Sequence, residues 1–167
     1  NSDDWPGCAS CELCKITRTP QPTLSEPHEP NSMHFDTIVG DVIGKISIPT
    51  INGEFYASLF MDIRTRYASV KLHSNCNSSE VTKHLIEFMN LIERQPDKAK
   101  NSTRRIRCVR TDMASYYTSD EFGTLLHSKG VVHQFSAPYV PQQNGLAERL
   151  NRTLIESTRA TLHQGNL

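Results

Sequence analysis

The chain lacks any apolar run long enough to cross a bilayer, and nothing in it reads as a charged-then-apolar leader. Neither a helical membrane protein nor a signal peptide is expected. Cysteine is scarce and odd in number, five residues unevenly placed, which argues against the disulfide framework of a small secreted domain. Net charge is missing too: 18 basic side chains balance 18 acidic ones. Composition alone therefore does not announce a polyanion-binding protein. No internal repeat is visible.

What is present is enough for one domain with a real core and a short appendage, since the chain has 167 residues. Its balanced charge is unevenly spread. Up to Asp62 there are nine acidic and three basic residues; from Ile63 onward there are nine acidic and fifteen basic. The densest basic run, KAKNSTRRIRCVR, holds Lys98, Lys100, Arg104, Arg105, Arg107 and Arg110. Such a run is either a solvated edge or a patch that gains affinity for nucleic acid by releasing counterions, and both readings stay open.

Residues 1–32, with RTPQPTLSEPHEPNS, are rich in Pro, Ser and Glu and have little to bury, so a poorly structured arm is expected. Beyond it, HFDTIVGDVIGKI, GEFYASLFMDI and YASVKLH read as three strands. In SSEVTKHLIEFMNLIERQ the period changes. Val81, Leu85, Phe88 and Ile92 recur at four, three and four, which predicts an amphipathic helix with Ser78 or Ser79 as N-cap and its end at Gln95-Pro96. RIRCVRTD predicts a strand, SDEFGTLLHSKG a helix from a Ser119 cap to a Gly130 stop, and VVHQFSA another strand. A helix from about Gly145 to His163 completes the order β-β-β-α-β-α-β-α, a mixed sheet flanked by helices. On the last helix, Leu146, Leu150, Leu154 and Thr161 form the expected core stripe.

Three carboxylates fall where such a sheet builds its sites. Asp41 lies in or at the end of the first strand, Asp112 at the end of the fourth, and Glu148 in the first turn of the last helix. Three carboxylates can hold a pair of Mg²⁺ ions for phosphoryl transfer; without metal they would repel one another. The plainer account of Glu148 is an acid that offsets the helix dipole, or an i,i+4 pair with Arg152.

The stretch FSAPYVPQQNGLAERLNRTLIESTRATL closely resembles the last catalytic motif of copia-type retrotransposon integrases. IRCVRTDMASYYTSDEF resembles the motif around their second aspartate, and GDVIGKI with FYASLFMDIRTRYASV resembles the first. The resemblance runs from about Met33 to Leu162. It implies an RNase H-like α/β fold over residues 33–167, with Asp41, Asp112 and Glu148 as the metal-binding catalytic set, and Asp36 and Asp62 as competitors for the first position. It also implies strand transfer with Mg²⁺ or Mn²⁺, in which element 3′-OH ends join double-stranded target DNA. A homo-oligomer (dimer or tetramer), a host tethering protein, and a nuclear site of action after assembly in cytoplasmic virus-like particles are implied as well. Asn144, Arg149, Arg152, Arg159, Arg104 and Arg105 are the expected DNA contacts. Residues 1–32 would be the tail end of a truncated zinc-binding domain plus linker, with Cys11 and Cys14 as half a Zn²⁺ site. His133 is expected to be structural. Where the family reads Asn-Gly-Gly after its second aspartate, this chain has Met113-Ala114-Ser115. That departure keeps open an inactive DNA-binding or scaffolding module derived from such an integrase.

Overall fold

The three leading strands are β1 (Thr37–Ile43), β2 (Tyr56–Asp62) and β3 (Ala68–His73). They are followed by α1 (Ser78–Glu93), the two-residue strands β4 (Pro96–Asp97) and β5 (Ser102–Thr103), then β6 (Cys108–Thr111), α2 (Asp120–Lys129), β7 (Val132–Phe135) and α3 (Gly145–Gln164). The structure, a computed structural model, describes residues 35–97, 102–103, 105–136 and 145–165. By chain contacts it divides into one unit of Glu26–Ala147 and another of Asn1–Ser25 with Glu148–Leu167.

In the first unit the sheet order is β3-β2-β1-β6-β7. β1, β2 and β3 pair antiparallel, whereas β1, β6 and β7 pair parallel. This is the mixed sheet with flanking helices that the element order predicts, in the RNase H-like form that the resemblance implies. Only the short β4–β5 pair escaped that reading, because two-residue strands have no periodicity to detect.

α1 forms where expected, and its stripe of Val81, Leu85, Phe88 and Ile92 is buried. Together with Ile38, Phe60, Val109, Phe122 and Leu126 these residues belong to the main core cluster. The N-cap is Asn77 rather than Ser78 or Ser79. Its side-chain oxygen accepts from the Glu80 N–H at 2.9 Å, so both serines are already helical. α2 follows its sequence signals: the Ser119 hydroxyl oxygen accepts from the Phe122 N–H at 3.3 Å, and Gly130 ends the helix at φ 65°. No helix among the described residues is long and apolar enough to cross a membrane.

On α3 the most buried positions are Ala147 and Asn151, with Leu150 and Leu154 half-buried. Thr161, placed in the core stripe by the sequence, is exposed. The buried stripe is rotated by one residue, onto smaller side chains than the leucine spacing suggests, and it runs out before the last turns.

Candidate functional site

Side chains of directly paired residues share a face of a sheet. Gly40 pairs with Phe60 and Phe60 with Ser69, and the Ser69 hydroxyl lies 2.9 Å from His84 Nε2 on α1. That face is therefore the one α1 covers. Asp41 pairs with Leu59, and Leu59 with Val70, so Asp41 belongs to the opposite face. Along β6, Val109 and Thr111 share a face with His133 and Phe135 of β7, and the His133 ring packs against Phe122 of α2 at 5.3 Å. Arg110, and Asp112 one step beyond the strand, then share the other face with Asp41. Arg110 Nη2 donates to Gln134 Oε1 there at 3.2 Å.

The parallel β1–β6 register pairs Thr37 with Cys108, Ile38 with Val109 and Val39 with Arg110. Continued along the two strands, it sets Asp41 level with Asp112. Two carboxylates thus stand side by side on one face, at the C-terminal ends of adjacent parallel strands. A second observation agrees with this. The Tyr116 phenol is pushed up by burial first, then by the negative charges of Asp112, Cys76 and Asp41. Tyr117, buried, is pushed up by burial and then by Asp41, with Asp112 among the further causes.

Local packing explains how each carboxylate is held. At Gly40 a Cβ atom would come within 2.7 Å of Phe60 Cε1 and 3.2 Å of Thr111 Cγ2, so only glycine lets these side chains close against the strand beside Asp41. Asp41 Oδ1 accepts from the Val42 N–H at 2.9 Å. Asp112 Oδ1 accepts from the Ala114 N–H at 3.1 Å, a short Asx turn. The fully buried Thr111 hydroxyl donates to the Asp112 carbonyl at 2.9 Å and lies 2.9 Å from His133 Nε2. Because threonine has one proton to give, His133 must donate from Nε2. Burial lowers the pKa of His133. The expected structural histidine is therefore satisfied, and it braces the residue that precedes Asp112. Sequence reasoning passed over Gly40, Thr111, Tyr116 and Tyr117; the pairing register is what brings them to the site.

The competitors stand elsewhere. Asp36 precedes β1, at its other end, with Oδ1 3.6 Å from Arg107 Nε. It lies five residue steps along the chain from Asp41, roughly 16 Å. Asp62 is fully buried, and its carboxylate accepts from the Phe35 N–H, the Thr65 N–H and the Thr65 hydroxyl at 3.1, 2.7 and 2.6 Å. Those bonds close the β2–β3 turn and anchor the start of β1, a structural role. The Met113–Ala114–Ser115 turn, without the glycines, uses no positive φ, so it needs none of the freedom glycine would supply.

Glu148 is exposed in the first turn of α3, in the second unit. Among the described residues no ion pair joins it to Arg152, which removes the i,i+4 pair as its explanation. Arg149, Arg152 and Arg159 are exposed on the same helix, and Arg105 is exposed ahead of β6. Arg104, Asn144, Cys11 and Cys14 lie outside the described residues. Among the described residues no group of three His, Cys, Asp or Glu side chains is gathered as a metal site. Continued from its paired residues, the β1–β6 register sets Asp41 and Asp112 on one face.

No protein-family model matches the chain. It is 29% identical over 157 residues, 94% of its length, to the retrovirus-related Pol polyprotein from transposon TNT 1-94 of Nicotiana tabacum. Among solved structures it is similar to the simian T-cell lymphotropic virus intasome bound to the PP2A regulatory subunit B56 gamma. There the TM-score is 0.60 and the identity 22%, over 80% of this chain and 43% of that one. It is also similar to the trimeric form of the HTLV-2 integrase catalytic core domain in complex with magnesium, with a TM-score of 0.59 and 18% identity over 81% and 77% of the two chains. Its relatives include plant retrotransposon Pol polyproteins, and its structural neighbours include a retroviral integrase catalytic core. The chain spans about a tenth of the length of the curated relatives it matches, 11% of the tobacco polyprotein. The likeness of the chain to the viral structures establishes the fold.

Proposed function

We propose that this integrase-like core performs divalent-metal-dependent DNA strand transfer, joining the 3′-OH ends of element DNA to target DNA. The observation that supports it is the level placement of Asp41 and Asp112 on one face at the ends of adjacent parallel strands. Paired carboxylates are hard oxygen donors of the kind Mg²⁺ or Mn²⁺ prefers, and on this reading Glu148 completes the set. Bound there, the ions supply activation of the attacking oxygen and charge stabilisation at the leaving one.

The chain's own residues do the rest. The Val42 and Ala114 amides each engage one oxygen of Asp41 and Asp112, which limits the rotation of both carboxylates. Thr111, braced by His133, fixes the peptide that carries Asp112. Arg149, Arg152 and Arg159 on α3, with Arg104, Arg105 and Asn144, are the groups proposed to meet the DNA backbone. The partners on this reading are double-stranded DNA, further copies of the chain as a dimer or tetramer, and a host tethering protein. Its site of action is the nucleus, after assembly in cytoplasmic particles, and zinc at Cys11 and Cys14 belongs to the full-length protein.

The test is a strand-transfer assay on pre-processed element-end DNA with Mg²⁺ and Mn²⁺, comparing wild type with Glu148→Gln. Metal-dependent joining that disappears in the variant is expected. Joining without metal, or undiminished joining by Glu148→Gln, overturns the proposal. The second reading, an inactive DNA-binding or scaffolding module, draws on the Met113–Ala114–Ser115 departure. It predicts DNA retention with no metal binding at Asp41 and Asp112.

A further inference from the structure

At the other end of the sheet from the carboxylates, the C-terminal ends of α1 and α2 and the segment leading into β6 enclose a cleft of about 450 Å³. Its floor is apolar, formed by the buried Ile106 and Val131. Its walls carry Asn90, Glu93, Arg94, Arg105, Ser128 and Lys129. Lys129 Nζ lies 3.9 Å from Glu93 Oε2. Neither Arg94 nor Arg105 has an ion-pair or hydrogen-bond partner for its guanidinium among the described residues.

The electrostatics of the cleft are lopsided. Three cations face one carboxylate. The C-terminal ends of α1 and α2 each add about half a negative charge, which shrinks the surplus to about one positive charge without cancelling it. Arg94, Arg105 and Lys129 are pure donors, and the Asn90 amide can donate as well. Two planar guanidiniums suit the tetrahedral oxygens of a phosphate better than they suit any neutral ligand. The volume is in the range of small-ligand clefts, enough for a phosphate and its attached sugar.

We propose that this cleft binds a phosphate of a nucleic-acid backbone, at the opposite end of the sheet from the paired carboxylates. A polynucleotide is favoured over a free phosphorylated molecule because Arg105 belongs to the basic run KAKNSTRRIRCVR. A chain of phosphates can exploit consecutive cations, whereas a single phosphate cannot. The choice of DNA as that polynucleotide rests on the strand-transfer reading.

The experiment measures binding of the whole chain to a fluorescent DNA duplex across a salt series, for wild type and the double variant Arg94→Gln/Arg105→Gln. The control is Lys83→Gln, whose lysine pairs with Glu80 at 3.0 Å away from the cleft. Both arginines are exposed, so the double variant should melt like wild type and keep any Mn²⁺-induced stabilisation. The expected result is a salt slope shallower by about one to two units, at about 0.9 per lost phosphate contact, with the control unchanged. Duplex binding with an unaltered slope overturns the cleft, and with it Arg105 as a DNA contact, while leaving strand transfer at the carboxylates intact. Stabilisation of wild type alone by inorganic phosphate, with equal duplex slopes, means a free-phosphate site and overturns the backbone assignment. A wild-type chain that binds no duplex at all overturns both.

Discussion

Replacing Thr111 by valine keeps the volume of a side chain with no exposed surface and deletes its hydroxyl. Two hydrogen bonds of 2.9 Å go with it, one to the Asp112 carbonyl and one from His133 Nε2. Each is worth about 1 kcal/mol net, and the stranded imidazole N–H adds a desolvation penalty, because His133 is packed between Phe122 and Phe135. The expected loss is about 2–3 kcal/mol. Urea denaturation measures it as a lower midpoint at constant slope. His133→Phe removes the other partner. The double variant, apolar on both sides, should cost less than the two single changes added together, with a coupling of about 1 kcal/mol. If Thr111→Val stays within about 0.5 kcal/mol of wild type, a value typical of surface changes, or if the cycle is additive, the brace behind Asp112 is refuted.

Gly40→Ala should destabilise by about 1–3 kcal/mol, since its Cβ meets the fully buried Phe60 ring and Thr111; a melting temperature equal to wild type contradicts this. Stability should also fall on acidification. His84, buried on α1, has its pKa lowered to about 4 by burial first and then by the charge of His73 and Lys71, with Glu87 opposing. His73, beside Glu80, is lowered as well. Neither imidazole is charged in the folded state near neutrality, so the unfolded chain binds more protons below pH 6.5. The stability present above that pH is lost progressively towards pH 4, by roughly 3 kcal/mol from His84 alone. Denaturant midpoints between pH 7 and 4 report the slope, and a flat profile sinks the assignment.

The elements were legible because their signals are local. Val81, Leu85, Phe88 and Ile92 have a helical period, Ser119 and Gly130 punctuate α2, and Gly145 opens α3 where the sequence suggested. Asp41 and Asp112 could be assigned to strand ends in the same way. That they stand level depends on the β1–β6 register, a non-local property that neither strand states alone. Gly40 looked like an ordinary strand glycine until Phe60 and Thr111 were set against it. Asn77 lost the N-cap prediction to its serine neighbours because all three residue types cap well, and only the chain path decides. The stripe on α3 was misread because the eye follows leucines, while burial follows Ala147 and Asn151.

The most direct test of the account is a Mn²⁺ titration of the whole chain followed by thermal unfolding, with Asp41→Asn, Asp112→Asn and Asp36→Asn beside wild type. At a hundredfold excess over its dissociation constant, a bound ion stabilises by about 2.7 kcal/mol. The account predicts that this stabilisation is present in wild type and in Asp36→Asn and absent in both other variants. Stabilisation that survives Asp41→Asn and disappears in Asp36→Asn would contradict it.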